Sequence, residues 1–364
     1  MRITFVLAAF DLSGGERVIS EYAQALQDRG HEVLAVARAP FRPGLRERLR
    51  GALRGRWKAK HAQTSPHFDR TTVPHRETDR FRIVDAGDVP DADVVIATWW
   101  ETANWINDFP ASKGAKVHFI QHYEAFEYTP KDGVDAALKL PFPKIVIASW
   151  LETLLREDLG VRKISFVPNA VDTRLFNAPP RTKQAVPTVG MLYSTTPWKG
   201  GRDGLAAFAR LRERMPNARL VTFGTEQPGP ALPVPDGTEH HRAPPQDQLK
   251  DIYARCDVWL CPSISEGFGL PPLEAMACRC PVVSTRMGGP ADFVVPGENG
   301  FLAPVGDVDG LAAQLERVLA LSPAEWRTMS DAAHATATGY TLAMATDRFE
   351  AALTRVVEQA RPAA

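Results

Sequence analysis

Two glutamates eight positions apart frame the most informative stretch of the sequence. Glu266 and Glu274 enclose Gly267 and Gly269, which allow the backbone to approach a ligand closely. A helix that begins near Pro272 would turn free backbone amides and the positive end of its dipole toward the same place, which suits a phosphate group. Because a carboxylate beside an anion must bind neutral donors, the pattern predicts a phosphate held by main-chain amides and a polyol held by carboxylates.

Cationic side chains follow another predicted strand in the same half of the chain. Lys199 precedes Gly200, and Arg202 comes two residues later. An ammonium group places a point charge on a diphosphate, and a guanidinium offers a fork of donors, so both suit a diphosphate leaving group. In the N-terminal half, Gly14 and Gly15 predict a third turn between a strand and a helix that allows a substrate to approach closely.

Each of these motifs also has a purely structural interpretation, which the residues alone leave open. Glu266 would then be a solvated loop residue, and Glu274 would interact only with the dipole of its helix. Lys199 would be a surface lysine in a loop. Gly14 and Gly15 would form an ordinary tight turn.

Strands and helices alternate on both sides of a proline-rich passage at 177–187, which is typical of a linker. Seven short β-rich segments precede it, among them Phe81–Val84, and five follow it. Most have consecutive apolar residues, as strands covered on both faces do. The sequence therefore predicts an α/β protein of two Rossmann-like, doubly wound domains, 1–177 and 178–341, facing an interdomain cleft. We expect a last helix at about 342–360 to be free to pack back on the first domain.

Taken together, the motifs resemble glycosyltransferase family 4, also called group 1, whose members are retaining transferases of the GT-B fold. The resemblance is specific over about residues 144–321 and thinner over the first 140 residues. The matching positions are the double glycine Gly14-Gly15, the V-P-N-G-V-D-like junction Val167–Asp172, the donor-site pair Lys199-Gly200, and the E-x7-E pair Glu266 and Glu274.

The resemblance implies a role for each matching residue. Glu266 would contact hydroxyls of the donor sugar, Glu274 the ribose of the nucleotide, and Lys199 the negative charge that grows on the departing diphosphate. His122 resembles the family histidine that reaches the donor sugar from the N-terminal domain, although a turn histidine bonded to the backbone explains it too. The other predicted donor-binding residues are Gly14, Gly15, Arg202, Gly267, Phe268, Gly269 and Leu270.

The sequence departs from the family pattern at two places. Relatives often carry an arginine a few residues before the lysine, and here that place holds Met191 or Tyr193, depending on the alignment. Arg202, or else the hydroxyls of Ser194 and Thr195, are candidates to compensate for it. The family's G-G-x-x-E also ends here in Asp292. These changes leave the identity of the donor open.

The resemblance thus implies a retaining glycosyltransferase, of hexosyltransferase type, that moves a sugar from a nucleotide-diphosphate sugar to an acceptor hydroxyl in polysaccharide, glycolipid or glycoconjugate biosynthesis. Two alternatives are a nucleotide-sugar-binding GT-B protein without turnover and a nucleotide-sugar epimerase. Trp99, Trp100 and Glu101 follow a predicted strand and are candidates for the acceptor site, although packing in the core explains the tryptophans equally well. We expect no cofactor and no metal, and Asp91 and Asp93 only mimic a D-x-D metal motif.

Composition excludes several other classes of protein. The 364 residues include 43 Lys or Arg and 43 Asp or Glu, so the chain carries no general charge for binding nucleic acid. Apolar residues make up 44% and charged residues 24%, as in globular domains rather than coiled coils or disordered tails. No apolar run approaches the roughly 18 residues that span a bilayer. Four cysteines and the lack of a recognisable export signal predict reduced thiols and a cytoplasmic location.

A local concentration of positive charge stands out against this balance. Residues 38–60 contain nine Lys or Arg and one acid, and Leu45, Leu49, Leu53 and Trp57 recur every four positions. A cationic helix with such a stripe can lie on an anionic membrane. A domain helix with a buried stripe and a solvated cationic face is the alternative. The partners that we expect are a nucleotide-sugar donor, a carbohydrate, lipid-linked or small-molecule acceptor, and an anionic membrane at the inner face.

Overall fold

The computed structural model describes residues 1–11, 13–41 and 67–360, and within them the chain folds into two compact units. Each unit is built on one parallel β-sheet with helices, so the predicted fold class is confirmed. The basic segment 38–60 falls largely outside the described residues, because nothing is described between 42 and 66. The first unit consists of Met1–Val146, Leu151–Val167 and the chain from Thr346 onward, and the second consists of Ile147–Trp150 and Pro168–Ala345.

A seven-stranded sheet forms the first unit. Its strands are β1 (Arg2–Leu7), β2 (Glu32–Ala37), β3 (His75–Glu77), β4 (Val94–Ala97), β5 (Ala115–Ile120), β6 (Lys144–Val146) and β7 (Ile164–Phe166). They lie in the order β3-β2-β1-β4-β5-β6-β7, and every neighbouring pair is parallel. The order reverses between β1 and β4, which is where ligands bind in sheets of this kind.

The second unit has a six-stranded sheet. Its strands are β8 (Thr188–Leu192), β9 (Arg219–Gly224), β10 (Glu239–Arg242), β11 (Val258–Cys261), β12 (Val282–Thr285) and β13 (Gly300–Ala303). The order is β10-β9-β8-β11-β12-β13, again parallel throughout, and it reverses between β8 and β11. Gly190 in β8 leaves room for Trp259, since a Cβ there would lie 2.5 Å from the indole.

Helices cover the sheets, as the near-continuous apolar runs of the central strands require. In the described part of the chain they are α1 (Gly14–Asp28), α2 (Trp100–Asn107), α3 (Lys131–Lys139), α4 (Ser149–Thr153), α5 (Gly201–Arg214), α6 (Leu249–Ala254), α7 (Leu270–Ala277), α8 (Pro290–Phe293), α9 (Val308–Ala320), α10 (Pro323–Thr338) and α11 (Leu342–Ala360). Within those same residues, no helix combines the length and the apolar character needed to cross a lipid bilayer.

The last helix contributes to the core of the first unit. Phe349 of α11 stacks on Tyr22 of α1 with 4.6 Å between ring centroids, and it meets Phe119 of β5 edge-on at 5.1 Å. At the rim of this contact, Arg29 forms ion pairs of 2.7 Å with both Asp347 and Glu350. Aromatic stacking and charge pairing therefore hold α11 against α1 and β5.

Four elements illustrate where the structure differs from the sequence-based expectations. Phe81–Val84 is not a strand, and its Phe81 and Ile83 are exposed. The edge strands β3 and β10 were not predicted, because edge strands have polar sequences that lack an apolar pattern. Helix α10 was also missed, although Ser322 and Glu325 form a capping box at its start, which is a recognisable signal.

Candidate functional site

The strongest group of predicted residues lies where the second sheet reverses its strand order. Residues 193–200, the Lys199 loop, follow β8, and residues 262–269, the Glu266 loop, follow the neighbouring strand β11. Both strands are parallel, so both loops leave the same edge of the sheet. The sheet topology therefore brings together two motifs that are more than sixty residues apart in the sequence.

A glycine allows these two loops to touch. Gly200 has φ +63°, and a Cβ at this position would lie 1.9 Å from the carbonyl oxygen of Pro262. The carbonyl oxygen of Trp198 accepts hydrogen bonds from the amides of Ile264 at 2.8 Å and Ser265 at 3.2 Å. Backbone contacts on both sides of Lys199 thus fix its position against the Glu266 loop.

Lys199 and Glu266 form a direct ion pair. The Nζ atom donates to Oε1 of Glu266 at 2.8 Å, and the hydroxyl of Ser263 donates to the same oxygen, also at 2.8 Å. Burial lowers the pKa of Lys199, but the charge of Glu266 and the hydrogen bond outweigh it, so the pKa is raised overall. Lys199 is therefore a cation, and its side chain remains 28% exposed.

Four consecutive backbone amides, at the end of the Glu266 loop and the first residue of α7, are available to a ligand. The amides of Gly267, Phe268, Gly269 and Leu270 donate no hydrogen bond to any group in the described part of the chain. They lead into helix α7, whose second and third residues are prolines and carry no amide hydrogen. Gly269 has φ +83°, a left-handed conformation that favours glycine. Because buried amides are nearly always paired, this group is suited to an anion.

A second pair of glycines supports the Glu266 loop from the other side. A Cβ at Gly288 would lie 2.2 Å from the carbonyl oxygen of Glu266, and one at Gly289 would lie 2.0 Å from that of Phe268. The indole of Trp150 donates to the carbonyl oxygen of Gly267 at 3.0 Å. Glycines thus permit close packing against two carbonyls of the loop, and the Gly267 carbonyl is hydrogen-bonded, whereas the loop's last three amides donate no hydrogen bond within the described residues.

Asp292, which stands where the family has a glutamate, binds protein groups in this structure. Its carboxylate accepts the amide of Ser149 at 2.9 Å and also the Ser149 hydroxyl. Ser149 is the first residue of α4. The aspartate therefore anchors the start of that helix.

Glu274 is placed differently from Glu266. It is 3% exposed on α7, and its Oε2 accepts the hydroxyl of Tyr253 at 2.9 Å. This bond orients the carboxylate and leaves it little contact with solvent. The predicted contact with the ribose therefore depends on the small fraction of the Glu274 side chain that is still exposed to solvent.

The structure shows what occupies the place of the missing arginine. Met191 and Tyr193 are both buried in the core of the second unit, and the Tyr193 hydroxyl donates to the carbonyl oxygen of Leu232 at 2.8 Å. Neither side chain is available to a diphosphate, whichever alignment is used. Arg202, in the first turn of α5, is exposed and makes no ion pair or side-chain hydrogen bond within the described residues.

Predicted residues of the first unit also lie at a reversal of strand order. Gly14 and Gly15 open helix α1 after β1, where the hydroxyl of Ser13 caps the amide of Glu16. The side-chain amide of Gln121, which follows β5, donates to the carbonyl oxygen of Gly15 at 3.0 Å. This bond brings the glycine turn next to the segment that carries His122.

His122 and the acceptor candidates surround the loop after β5. The Nδ1 atom of His122 lies 2.8 Å from the carbonyl oxygen of Tyr123, and its ring stacks on Phe126 at 5.1 Å. Trp99 also stacks on Phe126, at 6.5 Å. Glu101 lies 3.7 Å from a guanidinium nitrogen of Arg38. The last candidate, Trp100, begins α2 and donates its amide to the buried carboxyl of Glu124 at 2.7 Å.

Two buried carboxyl groups that were not predicted lie beside these motifs. Glu16 is 3% exposed, and its Oε1 has no hydrogen-bond partner among the described residues. Burial raises the pKa of Glu16 to about 8 despite the opposing hydrogen bond from the amide of Asp11. Burial likewise raises the pKa of Glu124 far above its usual range. Glu16 follows the double glycine directly, and that position could have drawn attention to it; for Glu124 the sequence gives no such signal.

The D-x-D mimic is engaged in ion pairs. Asp91 lies 3.0 Å from the ammonium group of Lys113, and Asp93 lies 3.1 Å from the guanidinium of Arg2. Across the residues that the structure describes, no group of three or more His, Cys, Asp or Glu side chains is arranged to hold a metal ion.

Comparison with known proteins finds a family match within the second unit. Residues 175–335 match the family model for glycosyl transferases group 1. Among curated proteins, MMP alpha-(1->4)-mannosyltransferase of Mycolicibacterium hassiacum is 34% identical over 192 residues, which cover 50% of this chain and 46% of that protein. The chain spans about half the length of the first curated relatives that it matches.

Solved structures extend the similarity to the whole chain. Sucrose-phosphate synthase from Thermosynechococcus elongatus has a TM-score of 0.75 at 18% identity, with 99% of this chain and 100% of that chain covered. Anabaena HepE in complex with UDP-glucose has a TM-score of 0.73 at 18% identity, covering 98% and 100%. At such low identity these structures establish the fold alone. The chain thus has the GT-B fold, and its residues 175–335 belong to the glycosyl transferases group 1 family.

Proposed function

We propose that this protein is a retaining glycosyltransferase of hexosyltransferase type, which moves a sugar from a nucleotide-diphosphate sugar to an acceptor hydroxyl. The observation that carries the proposal is the group of four unpaired amides at Gly267–Leu270, next to the Lys199–Glu266 ion pair. A diphosphate needs donors and a cation, and a sugar needs acceptors for its hydroxyls. The two loops offer both within one unit.

In this proposal the donor binds through complementary charges. The amides of the Glu266 loop and Lys199 hold the diphosphate, with Arg202 as a further cation, and Glu266 accepts hydrogen bonds from hydroxyls of the sugar. Glu274 contacts the ribose, oriented by Tyr253. Preorganised donors of this kind stabilise the charge that develops on a leaving group, which is usually the largest electrostatic contribution to catalysis. No resident cofactor or metal is part of the proposal.

The transfer step breaks the bond between the anomeric carbon and the diphosphate oxygen and forms one to the acceptor oxygen on the same face of the sugar. The acceptor proton passes to the departing phosphate oxygen. Glu266 positions the sugar and is not assigned as a covalent nucleophile. Lys199 and Ser263 both bind its Oε1 atom and hold the carboxylate in place. His122, Gly14 and Gly15 are assigned to donor contacts from the first unit, and Trp99, Trp100 and Glu101 to the acceptor.

Relatives guide the choice of substrates to be tested. The curated relative is named as a mannosyltransferase, and HepE was crystallised with UDP-glucose. We therefore propose a hexose donor linked to a nucleoside diphosphate, and a role in polysaccharide, glycolipid or glycoconjugate synthesis. The four cysteines are all free and buried, which fits a reducing, cytoplasmic compartment. The basic segment 38–60 would bring the enzyme to an anionic membrane at the inner face.

A nucleotide-sugar-binding protein without turnover is the second candidate function. It is favoured by one observation: both positions that could hold the family's arginine carry buried core residues, Met191 and Tyr193. With less positive charge around the diphosphate, departure of the nucleoside diphosphate from the sugar would be slowed more than binding of the donor would be weakened. Only a measurement of turnover separates these two functions.

Two measurements on the purified protein test the proposal. A panel of UDP-, GDP-, ADP- and dTDP-hexoses is first screened for thermal stabilisation, because a bound ligand raises the apparent stability. The stabilising donors are then incubated without acceptor, and release of free nucleoside diphosphate is measured. A transferase releases the nucleotide slowly to water and leaves free sugar with the donor's anomeric configuration.

The outcomes separate the alternatives. Stabilisation without any nucleotide release, with or without acceptors, would indicate the binding protein. Conversion of the donor into its epimer with the nucleotide still attached would indicate an epimerase. If no nucleotide sugar stabilises the protein at all, the proposed donor site is wrong.

A further inference from the structure

We propose that the acceptor presents the apolar face of a sugar ring to an aromatic platform formed by Trp99, Phe126 and Tyr128 in the first unit. The inference rests on the proposed function and narrows its acceptor to a carbohydrate or a molecule with a carbohydrate end. It adds Phe126 and Tyr128 to the residues discussed so far as acceptor candidates.

The three rings are nearly parallel. Tyr128 stacks on Phe126 with 5.4 Å between centroids and 13° between planes, and Phe126 stacks on Trp99 at 6.5 Å and 16°. Tyr128 at the outer end is 68% exposed, the largest exposed fraction among the large hydrophobic residues of the described chain. A ring held on one side by stacking, with the rest of its surface open, is suited to stack on the C–H face of a ligand.

The loop that carries the platform is fixed by its own hydrogen bonds. Thr129 Oγ1 accepts the amide of Phe126 at 2.7 Å and lies 2.6 Å from the carbonyl oxygen of Glu124. The Glu124 carboxyl accepts the amide of Trp100 at 2.7 Å, which ties the loop to the start of α2. Tyr123 donates to Asp135 of α3 at 2.7 Å. Such preorganisation lowers the entropy that is lost when a ligand binds.

The position of the platform agrees with a substrate role. Trp99 follows β4, and Phe126 and Tyr128 follow β5, so all three lie at the carboxyl edge of the first sheet, where ligands of open α/β sheets bind. His122, which stacks on Phe126, connects the platform to the predicted donor contacts.

The surroundings of Tyr128 favour a sugar over a hydrocarbon chain. Glu127, Lys131 and Asp132 lie within four residues of Tyr128 in the sequence and are all exposed, so the segment around the ring is polar rather than apolar. A lipid chain lying over Tyr128 would remove water from these charged groups without offering them any polar contact. A sugar ring matches them, because it places C–H groups on the aromatic face and hydroxyls at the border.

A single probe that contains both a sugar ring and a hydrocarbon chain can show which of the two contacts the protein. Octyl β-D-glucopyranoside, used below its critical micelle concentration, has a sugar ring and an alkyl chain in one molecule. Saturation-transfer NMR on the full-length protein reports which of its protons contact the protein. We expect the strongest transfer to the ring C–H protons.

Three variants then assign the contact to the platform. In Tyr128→Ala the ring signals should fall at least fivefold, and in Tyr128→Phe they should be retained, because the aromatic face remains. Phe81→Ala, which removes another exposed aromatic ring of the same unit, should leave the signals unchanged. Circular dichroism spectra of all variants verify folding.

The proposal is overturned by stronger transfer to the alkyl chain, by no detectable transfer to the wild-type protein, or by equal ring signals in Tyr128→Ala and wild type. Its failure is distinct from failure of the proposed function. Donor hydrolysis by the wild-type protein, measured without any acceptor, tests the latter on its own and does not involve the octyl glucoside.

Discussion

The Nζ atom of Lys199 lies 2.8 Å from Oε1 of Glu266, although the two residues belong to loops that follow different strands. The two side chains form an ion pair, and a third group, the Ser263 hydroxyl, binds the same carboxylate oxygen. The proposed function assigns the cation to the diphosphate and the acid to the sugar. When the donor binds, the ammonium group of Lys199 must therefore interact with both the diphosphate and the Glu266 carboxylate.

Removing either member of the Lys199–Glu266 pair should reduce turnover strongly, and the losses in the two single variants should not be additive in the double variant. Lys199→Ala and Glu266→Gln should each lower kcat for transfer by about 10²–10³-fold, because each removes a preorganised charge from the donor site. The double variant should lose much less than the product of the two, since each single variant leaves a partner unpaired. Steady-state kinetics with the stabilising donor measure this.

Lys250→Ala is the matched control for this pair, since it removes a lysine of the same unit from helix α6 without touching either loop. It should keep near-normal kinetics. Full additivity of the two losses would show that the ion pair has no part in catalysis.

The contact between the two loops should be sensitive to a single methyl group. Gly200→Ala would bring a Cβ to 1.9 Å from the carbonyl oxygen of Pro262 and should separate the loops, destabilising the second unit and weakening donor binding at least tenfold. Gly237→Ala is the control, because Gly237 also has a positive φ but a Cβ there would have no atom within 4 Å among the described residues. Both variants carry the backbone strain of about 1–2 kcal/mol. The difference between them, in thermal midpoint and in donor affinity, isolates the clash.

Comparable midpoints and affinities for Gly200→Ala and Gly237→Ala would mean that the loops can separate without consequence. In that case the position of Lys199 would not depend on the backbone contact described above.

Glu16 should make the stability of the first unit fall as pH rises. The unfolded chain releases this proton near the ordinary pKa of 4.5, whereas the folded protein keeps it until about pH 8. Between these pH values the folded protein retains a proton that the unfolded chain has released. The free energy of unfolding therefore falls by up to about 1.4 kcal/mol for each unit of pH. Glu16→Gln removes this dependence, so it should be increasingly more stable than the wild type from pH 5 to pH 8. Urea unfolding at several pH values measures the gap.

Glu32→Gln provides the comparison for Glu16, because Glu32 is an exposed carboxyl at the start of β2 in the same unit. Its stability gap to the wild type should stay constant over the same range. A constant gap for Glu16→Gln as well would show that the carboxyl is ionised in the folded protein.

The basic segment should bind anionic membranes if it has the predicted amphipathic character. Wild-type protein should sediment with vesicles that contain anionic lipid, and replacing Arg46, Arg50 and Arg54 by Glu should abolish this, because each basic residue near such a surface contributes about 1 kcal/mol. Neutral vesicles serve as the control for charge. If the wild-type protein does not sediment with anionic vesicles, the segment is a solvated face of the domain.

Sequence patterns predicted the parts of the fold that are buried on both faces. The central strands β1, β4, β8 and β11 have apolar runs that no other structure explains as simply, and the glycine turns after them mark the edge where ligands bind. The edge strands β3 and β10 could not be found in this way, because their sequences HRE and EHHR are polar. The strand predicted at Phe81–Val84 was wrong for the opposite reason: the segment is apolar, yet Phe81 and Ile83 are exposed.

In the candidate site, too, some residues could be predicted from the sequence and others could not. Glu266, Lys199 and the glycines could be identified because their residue types and order are unusual. Contacts between distant segments could not: nothing in the sequence pairs Ser263 with Lys199 on one carboxylate, or places Tyr253 against Glu274. Burial also decides protonation, so the neutral state of Glu16 emerged only once its surroundings were known.

The last helix has a consequence for how the first unit can be produced. Phe349, Asp347 and Glu350 supply stacking and charge to α1 and β5, so a polypeptide stopped after residue 167 would lack part of its own interior. A self-sufficient version would have to be spliced, with α11 grafted behind β7 through a linker. Alternatively, a synthetic peptide of residues 342–360 added in trans should rescue the truncated fragment, making the protein a natural candidate for fragment complementation.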